Sequence, residues 1–208
     1  IGTLRQGLRD MGIEKDTIVW YCSDNGGLKI DPESCGNLRG YKTNIYEGGL
    51  RVPAIIEWPG HISHSISSFP ASTMDTFPTL VDLLDLPNTS LLKVHDGQSI
   101  NDLLMGKPLT RKHPIPFFIK SKAALIDGDY KLVTSNIRVG YELYNLKDDF
   151  KESKDISQDF PERFSQMKSE MESFLKSVKT SEAGGDYAEG RVIQKSRSQF
   201  WKNMDEFS

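Results

Sequence analysis

The chain has 208 residues, a length that suits one large or two small domains. Hydrophobic residues make up 37%, enough for a real core, and the net charge of −3 leaves no general field for nucleic acid or an acidic membrane surface. No apolar run approaches the length of a membrane span.

In chain order, Ile1, Leu4, Leu8 and Met11 recur at helical spacing, with Gly12 as a C-terminal cap. The pattern is already helical at Ile1 and no leader sequence precedes it, so an earlier segment is expected. The run Ile18-Val19-Trp20-Tyr21-Cys22 reads as a strand buried on both faces. It leads directly into Ser23-Asp24-Asn25-Gly26-Gly27, and ligands of open α/β sheets gather beyond strand carboxyl ends. Asp24 and Asn25 offer the hard oxygens that Ca²⁺ or Mg²⁺ prefers, although the same letters also make an ordinary turn.

Residues 23–53 are too long and glycine-rich for a simple connector. A second strand follows at 54–58, ended by Pro59-Gly60. Asp75 is a predicted N-cap with Pro78 in the first turn, and Phe77, Leu80, Val81 and Leu84 are expected to line one face of that helix. Texture changes near Lys107-Pro108. Residues 115–146 read as short strands, with Asp127-Gly128 turning between two of them. After Pro161, Phe164, Met167, Met171, Phe174, Leu175 and Val178 mark an amphipathic helix. Strands followed by one helix predict a small α+β unit with that helix on one sheet face. The tail from Lys179 has no clear period, though Phe200 and Trp201 offer it a means of docking.

Several residues read ambiguously by themselves. Cys22 and Cys35 are taken as two thiols rather than a bridge, since sequence cannot show the close Cα atoms a disulfide needs. Asn88-Thr89-Ser90 fits the glycosylation acceptor pattern, a short motif that also matches by chance. His61 and His64 have metal-compatible spacing but no carboxylate cluster; His95 and His113 sit in turn-like settings, and none is assigned to catalysis.

Two further segments change the weight of Asp24-Asn25. Leu38-Arg39-Gly40-Tyr41-Lys42 precedes Tyr46-Glu47-Gly48-Gly49-Leu50-Arg51-Val52-Pro53, and Trp58-Pro59-Gly60 follows. The order Asp-Asn-Gly, Gly-x-Lys, Glu-Gly-Gly-x-Arg-x-Pro, Trp-Pro-Gly resembles the second half of a type I sulfatase, within the alkaline-phosphatase-like superfamily. The resemblance runs on through Met74-Asp75-Thr76-Phe77-Pro78, Asp96-Gly97-Gln98-Ser99, Asp127-Gly128-Asp129-Tyr130-Lys131-Leu132 and Glu142-Leu143-Tyr144-Asn145-Leu146, thinning after about Val178.

The resemblance implies an α/β fold: the C-terminal part of an alkaline-phosphatase-like sheet-and-helix domain over residues 1–110, a small α+β subdomain over 111–178, and a tail over 179–208. It implies a sulfuric ester hydrolase, with Asp24 and Asn25 as metal ligands, Ca²⁺ as the usual metal and Lys42 as the lysine that reaches the sulfate. Glu47 and Arg51 are assigned to bracing the loop, and Arg39 stays open between substrate contact and scaffold. The partner implied is a sulfated small molecule or sulfated glycan, and the location secreted, periplasmic or lysosomal.

The departures matter as much. The family's formylglycine nucleophile arises in a Cys/Ser-x-Pro-x-Arg motif expected upstream, in a missing N-terminal half. Cys35-Gly36-Asn37-Leu38-Arg39 imitates that motif but has Asn37 in place of proline and lies on the wrong side of Asp24. It is read as a decoy, so the chain is expected to be inactive alone. A phosphate or phosphonate monoester hydrolase of the same superfamily is the enzymatic alternative. A non-catalytic module binding sulfated glycans is the other, and it predicts erosion of Asp24, Asn25 and Lys42, all of which are intact.

Overall fold

The computed structural model describes residues 1–30 and 34–186. Phe200 and Trp201 lie outside the described residues. The first helix, α1, spans Gly2–Asp10 and is followed by Gly12 at φ +69°, as a helix stop requires. Strand β1 (Val19–Cys22) pairs antiparallel with β2 (Ala54–Glu57), with Val19 opposite Glu57 and Cys22 opposite Ala54. Between them lies the short helix α2 (Glu47–Leu50).

The expectation of a β1 strand buried on both faces is corrected. Among the described residues β1 and β2 pair only with each other, and Tyr21 and Ile55 are 49% and 61% exposed. An apolar strand is buried only where other elements cover its faces. Here α1 reaches the ribbon through a surface pair, Arg5 Nε to Glu57 Oε2 at 2.7 Å, which covers little of it.

Helix α3 (Thr76–Leu83) starts after Asp75 as expected, but its buried side differs. Pro78, Thr79 and Val81 point inward, whereas Phe77 and Leu84 are 56% and 59% exposed. Polar anchoring decides the orientation. Thr79 Oγ1 accepts the Ile100 N–H at 3.0 Å, and Ser99 Oγ donates to Asp82 Oδ2 at 2.5 Å. These bonds turn the helix toward residues 97–100, just before the short helix α4 (Asn101–Leu104).

Four strands then form an antiparallel meander: β3 (Ile115–Ile119), β4 (Lys122–Asp127), β5 (Tyr130–Thr134) and β6 (Glu142–Asn145). Asp127 pairs with Tyr130, so the two-residue hairpin turn is Gly128-Asp129, one residue beyond the Asp127-Gly128 turn the sequence predicts. Helix α5 (Pro161–Glu182) begins at Pro161 and runs four residues past Val178. It packs Met167 and Met171 on Ala123, Leu125, Leu132 and Leu143 of the sheet. Because side chains alternate across a strand, the intervening residues face the other way. Ala124, Val133 and Tyr144 form a second core there with Ile45, Tyr46 and Leu50. The sheet thus has α5 on one face and the segment around α2 on the other.

Candidate functional site

Asp24 and Asn25 lie just beyond the carboxyl end of β1, where the sequence puts them. The Ser23 hydroxyl donates to Asn25 O at 2.9 Å and tightens the turn. The Asn25 side-chain amide donates to Asp24 Oδ2. Asp24 is exposed and Asn25 half-buried, so the carboxylate keeps oxygen lone pairs open to solvent.

This turn is clamped to the loop that carries Lys42. Gly26 N–H donates to Gly49 O at 2.9 Å, and Lys42 N–H donates to Gly27 O at 2.7 Å. Gly48 N–H closes the far side by donating to Arg39 O at 2.8 Å. The approach tolerates no side chain: a Cβ on Gly26 would stand 1.9 Å from Gly48 O. One on Gly48 would stand 2.2 Å from Gly40 O. The glycines are therefore what let the Asp-Asn turn and the lysine loop touch backbone to backbone. The Lys42 side chain is exposed and makes no ion pair among the described residues. Its ammonium is available to an anion.

Beneath the clamp lies a buried charge cluster. Lys131 Nζ sits 2.8 Å from both Glu47 Oε1 and Glu152 Oε1, and all three side chains are almost wholly inaccessible. Glu47 N–H also donates to Glu152 Oε2 at 2.6 Å. Burial pushes the Glu152 carboxyl up from the ordinary glutamate range, although Lys131 pulls it down. Arg51, the other residue assigned to bracing the loop, stands 3.8 Å from Glu47 Oε2 and is largely exposed. Glu47 does brace the loop, chiefly through Lys131.

Arg39 is tied into the scaffold. Its guanidinium stacks 3.8 Å from the Tyr46 ring centroid and donates to Tyr144 Oη at 2.7 Å and Glu152 O at 2.9 Å. Tyr46 and Tyr144 both donate to Glu142 Oε2, at 2.8 and 2.9 Å. Burial, then the bond to Glu142, pushes the Tyr46 phenol up to about 12 and raises Tyr144 likewise.

Other sequence candidates fall elsewhere. His61 stacks on Trp58 with centroids 3.9 Å apart, and the His95 ring nitrogen Nδ1 lies 2.8 Å from Leu92 O. Among the described residues no three His, Cys, Asp or Glu side chains gather closely enough to hold a metal alone. Cys22 and Cys35 form no disulfide. Asp75 caps no amide of α3; its buried carboxylate accepts Ser72 N–H, Gln98 N–H and both Arg111 terminal nitrogens instead. Two motifs far apart in sequence, Met74-Asp75-Thr76 and Asp96-Gly97-Gln98, thus meet for a structural purpose. Lys131, Glu152 and Arg111 escape sequence reasoning because a charge inside a strand or turn ordinarily signals a solvated face. The available hint is Lys131 sharing strand parity with Val133.

Residues 1–86 match the sulfatase family model. Over 142 residues, 63% of the chain, the sequence is 33% identical to bovine arylsulfatase A and spans 27% of that protein. It is 25% identical over 206 residues to zebrafish arylsulfatase K, covering 93% of the chain and 38% of that relative. The fold is similar to that of a protein solved in a study of glycosaminoglycan metabolism by Bacteroides thetaiotaomicron. Its TM-score is 0.71 at 26% identity, covering 86% of this chain and 42% of that one. The chain spans less than half the length of each of these relatives.

Proposed function

We propose that the chain is the C-terminal portion of a sulfatase and supplies Asp24, Asn25 and Lys42 to a site that hydrolyses sulfate esters. The observation that carries this reading is the backbone clamp, Gly26 N–H to Gly49 O and Lys42 N–H to Gly27 O, which sets the two motif loops side by side. The donor chemistry of the Asp-Asn turn fits Ca²⁺: an exposed carboxylate and a carboxamide are hard oxygen ligands. Two residues meet only part of the six to eight oxygens that Ca²⁺ takes, so further ligands come from elsewhere in the complete protein. When bound, the cation neutralises charge on the sulfate and so eases approach of an anionic nucleophile.

The remaining roles belong to this chain's own groups. Lys42 donates to the sulfate oxygens and stabilises negative charge that builds as the ester bond breaks. Among the described residues it has no ion-pair partner, which leaves its own charge open to the substrate. Asp24 and Asn25 hold the anion's counter-charge at the strand end, fixing where the ester sits. The sequence contains no Cys/Ser-x-Pro-x-Arg motif, so the formylglycine nucleophile is supplied by another part of the protein. The substrate class is a sulfated small molecule or sulfated glycan, and the glycosaminoglycan context of the similar Bacteroides thetaiotaomicron protein supports the glycan.

The test is made on the complete enzyme. Lys42→Ala should slow turnover of an aryl sulfate by about 10²–10³, the usual loss for one oriented donor to developing charge. Asp24→Ala should weaken Ca²⁺ binding in calorimetry. Wild-type kinetics and metal affinity in both variants refute the assignment.

A further inference from the structure

We propose that Lys131 and Glu152 are positioning residues for Lys42, acting through Glu47. This inference rests on the reading of the Lys42 loop as part of the sulfate site. The Lys42 loop touches the Asp24-Asn25 turn directly, Lys42 N–H to Gly27 O, and again, by Gly26 N–H to Gly49 O, through α2, whose first residue is Glu47. Two independent contacts from the C-terminal sheet fix that residue. Lys131, on β5, holds its carboxylate at 2.8 Å, and Glu152, in the turn after β6, accepts its backbone N–H at 2.6 Å. With side chain and main chain both held, α2 has one orientation. Gly48 N–H and Gly49 O are then aimed at Arg39 and Gly26.

Stability alone is a poor reason for such a cluster. A buried ion pair roughly breaks even against apolar residues of the same volume, so its distinctive contribution is geometric. The backbone of Glu152 supports this. It adopts φ +54°, a left-handed conformation costly for a non-glycine residue, and in it the carboxylate reaches both Lys131 and Glu47 N–H. Strain of this kind persists where surrounding contacts over-determine it. The same face of the sheet holds the loop a second time, since Lys122 Nζ, on β4, donates to Thr43 O at 2.8 Å. Thr43 adjoins Lys42, so the sheet grips the loop on both sides of the lysine's clamp.

Glu152→Gln and Glu47→Gln each leave one carboxylate with Lys131, a charge-balanced pair that retains the fold. Hydrogen exchange on the complete protein reads the clamp directly. Both variants should speed exchange at the Gly26 and Lys42 amides about tenfold, with β4 and β5 unchanged. In the active enzyme they should lower kcat for an aryl sulfate, again about tenfold or more, and leave KM within about twofold. Uniform loss of protection across the sheet, no change at the two amides, or failure of both variants to fold overturns the positioning role. So does an unchanged kcat in an active enzyme. The exchange readout needs no substrate, so a complete protein without sulfatase activity refutes the function while the exchange result still decides the positioning.

Discussion

At the scale of single residues, the site depends on atoms that are absent. Gly26 is buried against the carbonyl of Gly48, and its missing Cβ is the space that the clamp occupies. Gly26→Ala must push the two loops apart, at about 1–3 kcal/mol, the usual cost of overpacking. Chemical denaturation should report that loss, together with faster exchange at the Lys42 amide. Three phenols, Tyr46 and Tyr144 below the clamp and Tyr141 on the α5 face, give a pH signature. Burial pushes the Tyr46 phenol up to about 12 and raises those of Tyr141 and Tyr144, from an ordinary value of 10.0. A raised folded value favours the protonated phenol in the native state. The stabilisation is therefore complete below about pH 10 and is lost as pH rises through about 12. An alkaline titration of phenolate absorbance should show these three lagging behind the exposed tyrosines. Tyr46→Phe should remove one late-titrating group.

Elements here are held by what lies on each face. The meander β3–β6 is covered by α5 through Met167 and Met171, both fully buried. Met171→Ala should cost about 2–5 kcal/mol, the range for emptying a core position, read as a fall in the denaturation midpoint. On the other face the same strands carry Lys131, Glu142 and Lys122 toward the loop of residues 39–50. Helix α3 follows a similar rule. Its docking is set by Asp75, whose carboxylate receives Arg111 at 2.7 and 3.0 Å with no exposure of its own. Arg111→Met leaves that charge buried and unpaired, and should destabilise by about 3–5 kcal/mol. If α3 were held by its apolar residues alone, the loss would be far smaller.

For the whole molecule, the contrast is between a covered sheet and an open ribbon. The meander is buried on both faces, while β1 and β2 expose Tyr21 and Ile55. Hydrogen exchange on the 208-residue chain should accordingly show strong protection in β4 and β5 and weak protection in β1 and β2. The same chain, assayed with an aryl sulfate in excess Ca²⁺, should show no turnover. Turnover abolished by Cys35→Ala would establish the Cys35-to-Arg39 segment as a nucleophile rather than a decoy.

The sequence alone marked α1, β1, β2, α3, the short strands of the meander and α5 in their order, a hairpin turn at Gly128 and the likeness to sulfatases, but neither α2 nor α4. Those signals are local: periodicity, turn residues and short motifs are set by neighbours along the chain. It also placed Asp24 and Asn25 at a strand end, because strand and turn adjoin in sequence. Long-range packing sets Lys131 against the Glu47 carboxylate and Glu152 against its backbone N–H, 84 and 105 residues away. It likewise ties Arg39 to Tyr144, turns Phe77 outward, and gives Asp75 to Arg111 rather than to its own helix. A charged side chain carries no mark of its distant partner. Burial with that partner follows from how the sheet and the loops pack, and strand parity alone cannot say which face will be covered or by what.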